Sequence, residues 1–356
     1  MVIKKNNFIK IDNKKIGKDY SPVLIAELGI NHSGDINLAI DFARKAIENG
    51  ADIIKNQTHI VSDEMSKEAK NVIPQNSNKS IYQIMKDCSL SAEDEYKLKK
   101  YVESKGSIFI STPFSRAAAD RLNKMDVKAF KIGSGECNNY PLIEHIAKFK
   151  KPMIVSTGMN NIESVKKTGR ILDKFNIKYA LLHCTNIYPT PPKLVRLGGI
   201  LELEKNFKNA VIGYSDHTTS NLACIAALSI GASIIERHFI DNKRRKGPDI
   251  INSMNPKELN ELYVMSKEIF KMRGGKKEAA KEEGGTMKFA FATLVAIKNI
   301  KKGEKFNKNN IWVKRPGTGE ILAEHYNDII GRISTCDIEY DDHIKVKDIK
   351  NFKLKS

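Results

Sequence analysis

An eightfold alternation of two kinds of segment limits most strongly how this chain can fold. From residue 23 to residue 274, short runs rich in Val, Ile, Ala and Phe are each followed by a stretch with helical periodicity. The apolar runs are continuous rather than alternating, as expected for parallel strands that are covered on both faces. Eight strand–helix units in about 250 residues match a (β/α)8 barrel. We therefore predict an α/β fold with a TIM barrel as its main body.

The flanking segments predict a hairpin before the barrel and a second domain after it. Residues 8–20 indicate a short β-hairpin that turns at Asp12-Asn13 and closes one end of the barrel. The segment after the last helix is charged and flanked by glycine, which is typical of a linker. Beyond it, short strand-like runs separated by turn residues predict a small β-rich domain. The predicted division is a barrel domain over 1–273, a linker over 274–287 and the β-rich domain over 288–356.

Charge and composition indicate which kinds of binding partner to expect. The chain has 356 residues, with 60 Lys+Arg against 42 Asp+Glu and a formal net charge of +18. The lysines are spread along the whole chain without a long basic block, so we predict no nucleic-acid partner and leave an anionic substrate open. No apolar run approaches the roughly 18 residues that span a bilayer, and charges interrupt the amino-terminal segment too often for a signal peptide. We therefore predict no membrane partner and a cytoplasmic location.

Two predicted strands, the seventh and the eighth, each end at a histidine. The runs AVIGYSDH and ASIIERHF carry His217 and His238, and a helix-like segment lies between them. Because a right-handed βαβ crossover makes such strands parallel, both histidines leave the sheet at its carboxyl edge, where barrels carry their active sites. Imidazole is the commonest protein ligand for metals, so the pair predicts a divalent metal site. Hydrogen-bonded histidines at strand ends, without a metal, are the alternative.

Other polar residues follow the predicted strands at the same edge. Lys55 and Lys131 interrupt apolar strands, where an unpaired ammonium group is costly to bury. With the neighbouring hydroxyl groups they indicate a cradle for a phosphorylated carboxylate, because each anionic oxygen needs a donor. The residues of this predicted rim are Glu27, Asn31, His32, Lys55, Gln57, Thr112, Ser115, Lys131, Ser134, Glu136, Ser156, Thr157, Asn186, Tyr188, Ser215, Asp216, His217, His238 and Asp249.

Each of these assignments has an alternative. A lysine in a strand can instead form an internal salt bridge with a carboxylate such as Glu27. It can also be the Schiff-base nucleophile of an aldolase. The serine, threonine and asparagine side chains can simply cap the helices that follow them. The residues taken singly leave these interpretations open.

Longer stretches of the sequence match a known family. They are IAELGINHSGD, IIKNQTHIVSDEMS, FISTPFSRAAADRL, FKIGSGECNNYPLI, IVSTGM, LLHCTNIYPTPP, IGYSDHT, ERHF and GPDIINSMNP. On these stretches the chain resembles the sialic acid synthase family, the bacterial N-acetylneuraminate synthases that condense phosphoenolpyruvate, over almost its full length. The segment from Phe291, with NIKKGE and WVKRPGTGE, resembles the family's C-terminal antifreeze-like domain, of the SAF or β-clip type.

The resemblance implies a metal-dependent condensation of phosphoenolpyruvate with open-chain N-acetylmannosamine, giving N-acetylneuraminate and phosphate. It implies that His217 and His238 hold the metal, which is expected to be manganese, with magnesium or cobalt as alternatives. Glu27 matches the family's essential carboxylate. Arg315 is expected to reach the barrel of the other subunit in a homodimer that exchanges its antifreeze-like domains. The residues expected to hold phosphoenolpyruvate are Lys55, Thr112, Lys131, Ser134, Ser156, Asn186 and Ser215, and those expected to face the sugar are Tyr188 and Asp249. Gln57 and Arg315 are expected to bind substrate as well.

Other functions compete with this one. A sister synthase that makes legionaminic or pseudaminic acid from a diacetamido-trideoxy sugar would differ only at sugar-facing residues such as Tyr188 and Asp249. The stretches GECNNYP and GPDIINSMNP favour the N-acetylneuraminate branch. A Schiff-base aldolase or a non-enzymatic binding protein explains the rim less well. Asn56 matters here too, because many relatives carry Phe or His at this position, and it bears on substrate preference only if it faces the site.

Overall fold

The computed structural model describes residues 7–73, 78–247 and 249–354. The chain folds into two compact units, Met1–Gly274 and Gly275–Ser356. Pro248, in the stretch GPDIINSMNP, lies outside the described residues. Within the described ranges, no helix is long and apolar enough to cross a membrane.

A hairpin precedes the barrel and closes its amino-terminal end. Strands β1 (Phe8–Ile11) and β2 (Lys14–Gly17) pair antiparallel, and the turn between them places Asp12 at φ 51°. Residues alternate along β1, so Ile9 and Ile11 point to one side, where they are buried in one cluster with the residues of the barrel interior. The predicted hairpin and its place at the end of the barrel are therefore confirmed.

The main body of the first unit is a closed barrel of eight parallel strands. Each strand pairs with its neighbour, and the last strand pairs with the first, which closes the ring. The barrel strands are β3 (Val23–Glu27), β4 (Ile53–Thr58), β5 (Ile108–Pro113), β6 (Phe130–Ile132), β7 (Met153–Ser156), β8 (Tyr179–Cys184), β9 (Val211–Asp216) and β10 (Ile234–His238). The predicted TIM barrel is confirmed.

Alternation along the strands separates the barrel interior from the helix layer. In β10, Ile234 packs in the interior cluster, whereas Ile235 packs in the cluster that includes the helices. Because successive side chains point to opposite faces, Glu236 and His238 also point to the interior. The interior is thus apolar near the hairpin and polar at the carboxyl edge.

Helices follow the strands and cover the outside of the barrel. Polar residues begin several of them, and Ser91 and Asn255 accept hydrogen bonds from backbone N–H groups of the first turn. The helices of this unit are α1 (Ile36–Glu48), α2 (Val61–Glu64), α3 (Ile81–Cys88), α4 (Ala92–Ser104), α5 (Arg116–Lys124), α6 (Tyr140–Ala147), α7 (Ile162–Lys174), α8 (Gly198–Asn206), α9 (Leu222–Ser229) and α10 (Pro256–Met272).

The fourth barrel strand is shorter than the sequence suggests. The apolar run predicts one strand over residues 129–136, but β6 ends at Ile132 and a 3-10 turn, Ser134–Glu136, follows. β6 pairs with β5 through a single register pair. The chain turns after Gly133 because Ser134 accepts a hydrogen bond from the backbone of the next loop, at Gly158.

Asn56 lies on the outer face of β4. Its side chain is fully buried, and its Nδ2 donates to Glu95 Oε1 of α4 at 3.1 Å. Thr58 and Ser111 donate to the same carboxylate. Burial raises the pKa of Glu95, and these donors offset that effect only in part. Asn56 therefore faces the helix layer and not the barrel interior.

The second unit is small and is built on one antiparallel strand pair with its own core. Thr293 lies opposite Lys314 at one end of the pair. Buried apolar side chains such as Leu294 and Phe306 form a separate cluster. The predicted linker, 274–287, includes a 3-10 turn and the start of a short helix. The elements of this unit are β11 (Thr293–Ala296), β12 (Ile311–Lys314), α11 (Gly284–Ala290) and α12 (Tyr326–Ile329).

Candidate active site

The carboxyl edge of the barrel interior brings together two imidazoles, two lysines and two carboxylates. Ser215 and Glu236 lie opposite each other in β9 and β10. The next inward-facing residues are His217 and His238, whose ring centroids are 5.5 Å apart. Both histidines are only 6% exposed. The convergence that the sequence predicts for these histidines is therefore present.

His217 is held as a neutral imidazole with one free nitrogen. Its Nδ1 lies 2.9 Å from the carbonyl oxygen of Thr185, which can only accept, so Nδ1 carries the proton and Nε2 keeps its lone pair. Burial, followed by the neighbouring His238, lowers the pKa of His217 to about 4. A hydrogen bond from one ring nitrogen to a carbonyl is a common way to orient a histidine that binds metal through the other.

One ring nitrogen of His238 lacks a hydrogen-bond partner in the part of the chain that the structure describes. This nitrogen, Nδ1, is buried. The nearest carboxylate oxygen, Asp249 Oδ2, is 3.8 Å away. Gly29 has φ 56°, and a Cβ there would come within 3.0 Å of this nitrogen. Glycine therefore keeps the space beside the imidazole free.

This donor set fits a divalent metal with two protein nitrogen ligands. One lone pair is available on His217, and an unsatisfied nitrogen is available on His238. Over the described ranges, no group of three or more His, Cys, Asp or Glu side chains is arranged to hold a metal ion. A metal bound by the two imidazoles would take its remaining ligands from substrate or water.

Lys55 forms a buried ion pair with Glu27. Its Nζ contacts Glu27 Oε2 and lies 3.4 Å from Glu236 Oε1. Burial alone would lower the pKa of Lys55, but Glu236 and Glu27 outweigh burial and raise it. The internal salt bridge that the sequence left open is therefore present. A lysine held as a cation by two carboxylates is a poor Schiff-base nucleophile.

Lys131 has different surroundings. Its Nζ donates to Ser156 Oγ at 2.7 Å and lies 3.4 Å from Glu236 Oε1. Burial lowers the pKa of Lys131 in spite of Glu236. For the carboxyl group of Glu236, burial has the opposite effect and would raise the pKa. The positive charges of Lys131 and Lys55 outweigh burial and lower the pKa of Glu236 to about 2. The two lysines, which look alike in the sequence, therefore differ in how firmly each holds its proton.

The loops after β6, β7 and β8 converge beside Lys131. Gly158 N donates to Ser134 Oγ at 3.1 Å. A Cβ on Gly158 would overlap the side-chain oxygen of Asn186. Asn160 Nδ2 donates to the carbonyl oxygen of Ser134 at 2.9 Å. These contacts bring Ser134 and Asn186 together, on the side of the site where Ser156 bonds Lys131.

Tyr188 lies over the two histidines. Its ring centroid is 4.1 Å from that of His217 and 6.2 Å from that of His238. Its hydroxyl oxygen accepts a hydrogen bond from Asn186 at 3.3 Å. Tyr188 is 45% exposed, so it lies at the entrance of the site.

Gln57 and Thr112 lie opposite each other in β4 and β5. Gln57 Nε2 donates to Glu27 Oε1 at 2.8 Å. Thr112 Oγ1 is buried and has no hydrogen-bond partner in the described part of the chain. Thr112 therefore offers an unused hydroxyl to a ligand, while the amide of Gln57 is engaged by a carboxylate.

Several other residues of the predicted rim have structural roles. Ser115 caps α5 by accepting a hydrogen bond from Ala118 N at 3.2 Å. Asn31 Nδ2 donates to the carbonyl oxygen of Phe239 at 3.0 Å. Asp216 lies 3.3 Å from the guanidinium of Arg237 in a pair whose side chains are fully buried. Ser115 therefore caps the helix that follows it, as the structural alternative predicts, whereas Asn31 and Asp216 make other internal contacts.

Two domain families match this chain. The NeuB family model matches residues 27–278, and the SAF domain model matches residues 291–350. The chain belongs to the NeuB family. This confirms the predicted family, the barrel followed by an SAF domain, and an enzyme of the sugar acid synthase class.

This NeuB-family chain is similar to proteins of three organisms over most of its length. An uncharacterised protein of Methanocaldococcus jannaschii is 39% identical over 343 residues, which cover 96% of this chain and 98% of that protein. The N,N'-diacetyllegionaminic acid synthase of Campylobacter jejuni is 37% identical over 331 residues, covering 91% and 98%. The crystal structure of a sialic acid synthetase from Leptospira borgpetersenii aligns with a TM-score of 0.73 at 28% identity, covering 79% of this chain and 95% of that one.

Glu236 is the site residue that the sequence prediction misses. It is the one acidic residue in the run ASIIERHF, two positions before His238. Side chains alternate along a strand, so Glu236 and His238, two positions apart, lie on the same face. Its place on the same face as the predicted metal ligand could have identified Glu236. A carboxylate in an apolar strand, like a lysine there, is costly to bury without a partner.

Arg315 belongs to the second unit of the NeuB-family chain. It follows β12 directly and is exposed. Its action on the barrel of a partner subunit stays a prediction.

Proposed function

We propose that this protein condenses phosphoenolpyruvate with an open-chain N-acetylated amino sugar, giving a nonulosonic acid and inorganic phosphate. The observation that supports this most is the buried row Lys55, Glu236 and Lys131 beside the two convergent imidazoles. The two lysines can bind an anionic substrate, and the two imidazoles can bind a metal at the same edge of the barrel.

Phosphoenolpyruvate is held by the donors around Lys131. The ammonium group and the Ser156 hydroxyl are 2.7 Å apart, and the Thr112 hydroxyl is free to donate. Ser134, Asn186 and Ser215 complete this side of the site. Hydrogen bonds from charged donors suit phosphate and carboxylate oxygens, and burial strengthens them.

The reaction joins C3 of the enol to the aldehyde carbon of the sugar. A divalent ion held by His217 and His238, manganese in our proposal, would act as a Lewis acid toward the aldehyde. Carbon C2 of phosphoenolpyruvate gains positive charge as the bond forms, and water then adds to it. Glu27, fixed by Lys55 and Gln57, stabilises this charge and orders the water. Lys131 keeps the phosphate in place until its bond to C2 breaks.

Two sugars are candidates, each with an observation in its favour. N-acetylmannosamine is favoured by the stretches GECNNYP and GPDIINSMNP. A diacetamido-trideoxy hexose is favoured by the 37% identity to a diacetyllegionaminic acid synthase. Exposed apolar side chains beside the sugar-facing residues, Ile187 at 43% and Ile251 at 57% exposure, also suit its extra methyl groups.

Phosphate release from phosphoenolpyruvate tests the reaction and the sugar together. With manganese we expect release with both sugars, faster with the diacetamido-trideoxy hexose because its methyl groups can contact the apolar rim. EDTA should stop the release. The product mass identifies the acid that forms. Manganese-independent release, or none with either sugar, would contradict the proposal, and faster reaction of N-acetylmannosamine would reverse the order of the two candidates.

Arg315 is proposed to act on the barrel of the second subunit of a homodimer. An inactive His217→Ala chain mixed with an inactive Arg315→Ala chain should then recover activity, because one of the two sites in the heterodimer has both residues intact. The measurement is phosphate release after the chains are unfolded and refolded together. Differently tagged chains show that heterodimers form. Activity at background level in confirmed heterodimers would exclude action across subunits.

A further inference from the structure

A chain of hydrogen bonds leads from Glu27 out of the barrel interior to helix α2. Glu27 Oε1 accepts from Gln57 Nε2 at 2.8 Å. Gln57 Oε1 lies 3.1 Å from His59 Nε2, and His59 Nδ1 lies 2.8 Å from Glu64 Oε2. We call these four residues the Glu27–Glu64 chain. Two of its members, His59 and Glu64, have no part in the reaction described above.

The amide of Gln57 can point in only one direction. Glu27 pairs with Lys55, and an ionised carboxylate can only accept hydrogen bonds. The Gln57 nitrogen must therefore face Glu27, and its oxygen must face His59. An amide turned the other way would place its oxygen against the Glu27 carboxylate, so that two acceptors would face each other.

The direction of the Gln57 amide, together with Glu64, determines which ring nitrogens of His59 carry a proton. Its Nε2 donates to the Gln57 oxygen, so this nitrogen carries a proton. Its Nδ1 faces a carboxylate oxygen of Glu64, and an ionised carboxylate can only accept, so this nitrogen carries a proton as well. His59 is therefore an imidazolium with both nitrogens protonated.

The surroundings of His59 hold the ring in place. It is 6% exposed and stacks on Phe114 with centroids 4.4 Å apart and planes 10° apart. Two titratable groups lie near this pair: His32 interacts electrostatically with His59, and Glu136 with Glu64. Burial lowers the pKa of His32 to about 4, so that ring is neutral and adds no second cation.

We propose that His59 and Glu64 are positioning residues that fix the direction in which the Glu27 carboxylate points. The imidazolium polarises the Gln57 amide, and cooperative polarisation strengthens the hydrogen bond that the amide donates to Glu27. Without the cation, the Gln57 amide is less polarised and is held firmly only at its nitrogen end, by the bond to Glu27. The inference rests on the proposed function, in which Glu27 acts on carbon C2.

Two variants test the Glu27–Glu64 chain. In His59→Gln and in Glu64→Gln we expect kcat for phosphate release to fall about 10-fold, the low end of the effect seen for outer hydrogen-bond partners of metal ligands. KM for phosphoenolpyruvate should stay unchanged, because the donors around Lys131 are untouched. His145→Gln is the matched control, since His145 also bonds a carboxylate, Asp120 at 2.7 Å, but lies outside the chain of bonds.

The nitrogen–proton NMR spectrum of the histidine rings gives a measurement that does not depend on activity. In the wild-type protein at neutral pH, His59 should show protons on both ring nitrogens, and in Glu64→Gln only on Nε2. A neutral His59 in the wild type, or an unchanged kcat in both folded variants, would overturn the inference. If His59→Gln does not fold, the more conservative Glu64→Gln decides. A wild type inactive with both sugars overturns the proposed function, whereas the ring spectrum still shows whether the chain of bonds exists, so the two failures are distinguishable.

Discussion

Replacing His217 with alanine is expected to abolish manganese binding and to slow phosphate release by at least about 10³-fold. A metal that polarises a carbonyl contributes several kcal/mol to the transition state, and each 1.36 kcal/mol is about a factor of ten. The proposed site takes its protein nitrogens from His217 and His238, so loss of His217 leaves His238 without its partner. Free manganese, measured by electron paramagnetic resonance during a titration of the protein, reports binding directly.

His183→Ala is the matched control for His217→Ala. His183 is also a buried histidine of the barrel, but it bonds the carbonyl oxygen of Val195 at 2.8 Å on the side of the helices. The control should bind manganese like the wild-type protein. Tight manganese binding that survives in folded His217→Ala would assign the two histidines to a purely structural role.

The barrel and its two histidines could be predicted from the sequence because both depend on local patterns. Continuous apolar runs identify buried parallel strands, and the crossover rule then places His217 and His238 at one edge. The same patterns located Lys55 and Lys131. Local sequence patterns therefore predict where a residue lies along its strand. The alternation of side chains along the strand predicts the face on which the residue lies.

The pairing of these residues could not be predicted, because it depends on distances between strands. Lys55 contacts Glu27 on the neighbouring strand, whereas Lys131 lies next to Ser156 and Glu236. The opposite pKa directions of the two lysines follow from those neighbours. The orientation of Gln57 likewise depends on hydrogen bonds at both ends of its side chain. The end of β6 could not be predicted either, because the turn after it is stabilised by a contact with another loop.

Replacing Glu236 with glutamine is expected to lower the free energy of unfolding by about 3–5 kcal/mol at neutral pH, the usual cost of breaking a buried ion pair. Glutamine keeps the shape but removes the negative charge that lies 3.4 Å from both Lys55 and Lys131. The lysines would then be buried together with only Glu27 to balance them. Urea unfolding in the presence of EDTA measures the difference without a contribution from metal.

The pH dependence of this difference in the free energy of unfolding shows whether it comes from the charge of Glu236 or from packing. The folded protein lowers the pKa of Glu236 from its ordinary 4.5 to about 2. A carboxyl group with a lowered pKa stabilises the folded state above its unfolded pKa, and the stabilisation is lost as pH falls toward the folded pKa. The difference in free energy of unfolding between wild type and Glu236→Gln should therefore be largest above about pH 4.5 and should shrink toward pH 2. Glu163→Gln, which breaks an exposed pair with Lys166, should show almost no gap. A gap that does not change with pH would mean that the lost contribution comes from packing and not from the charge between the two lysines.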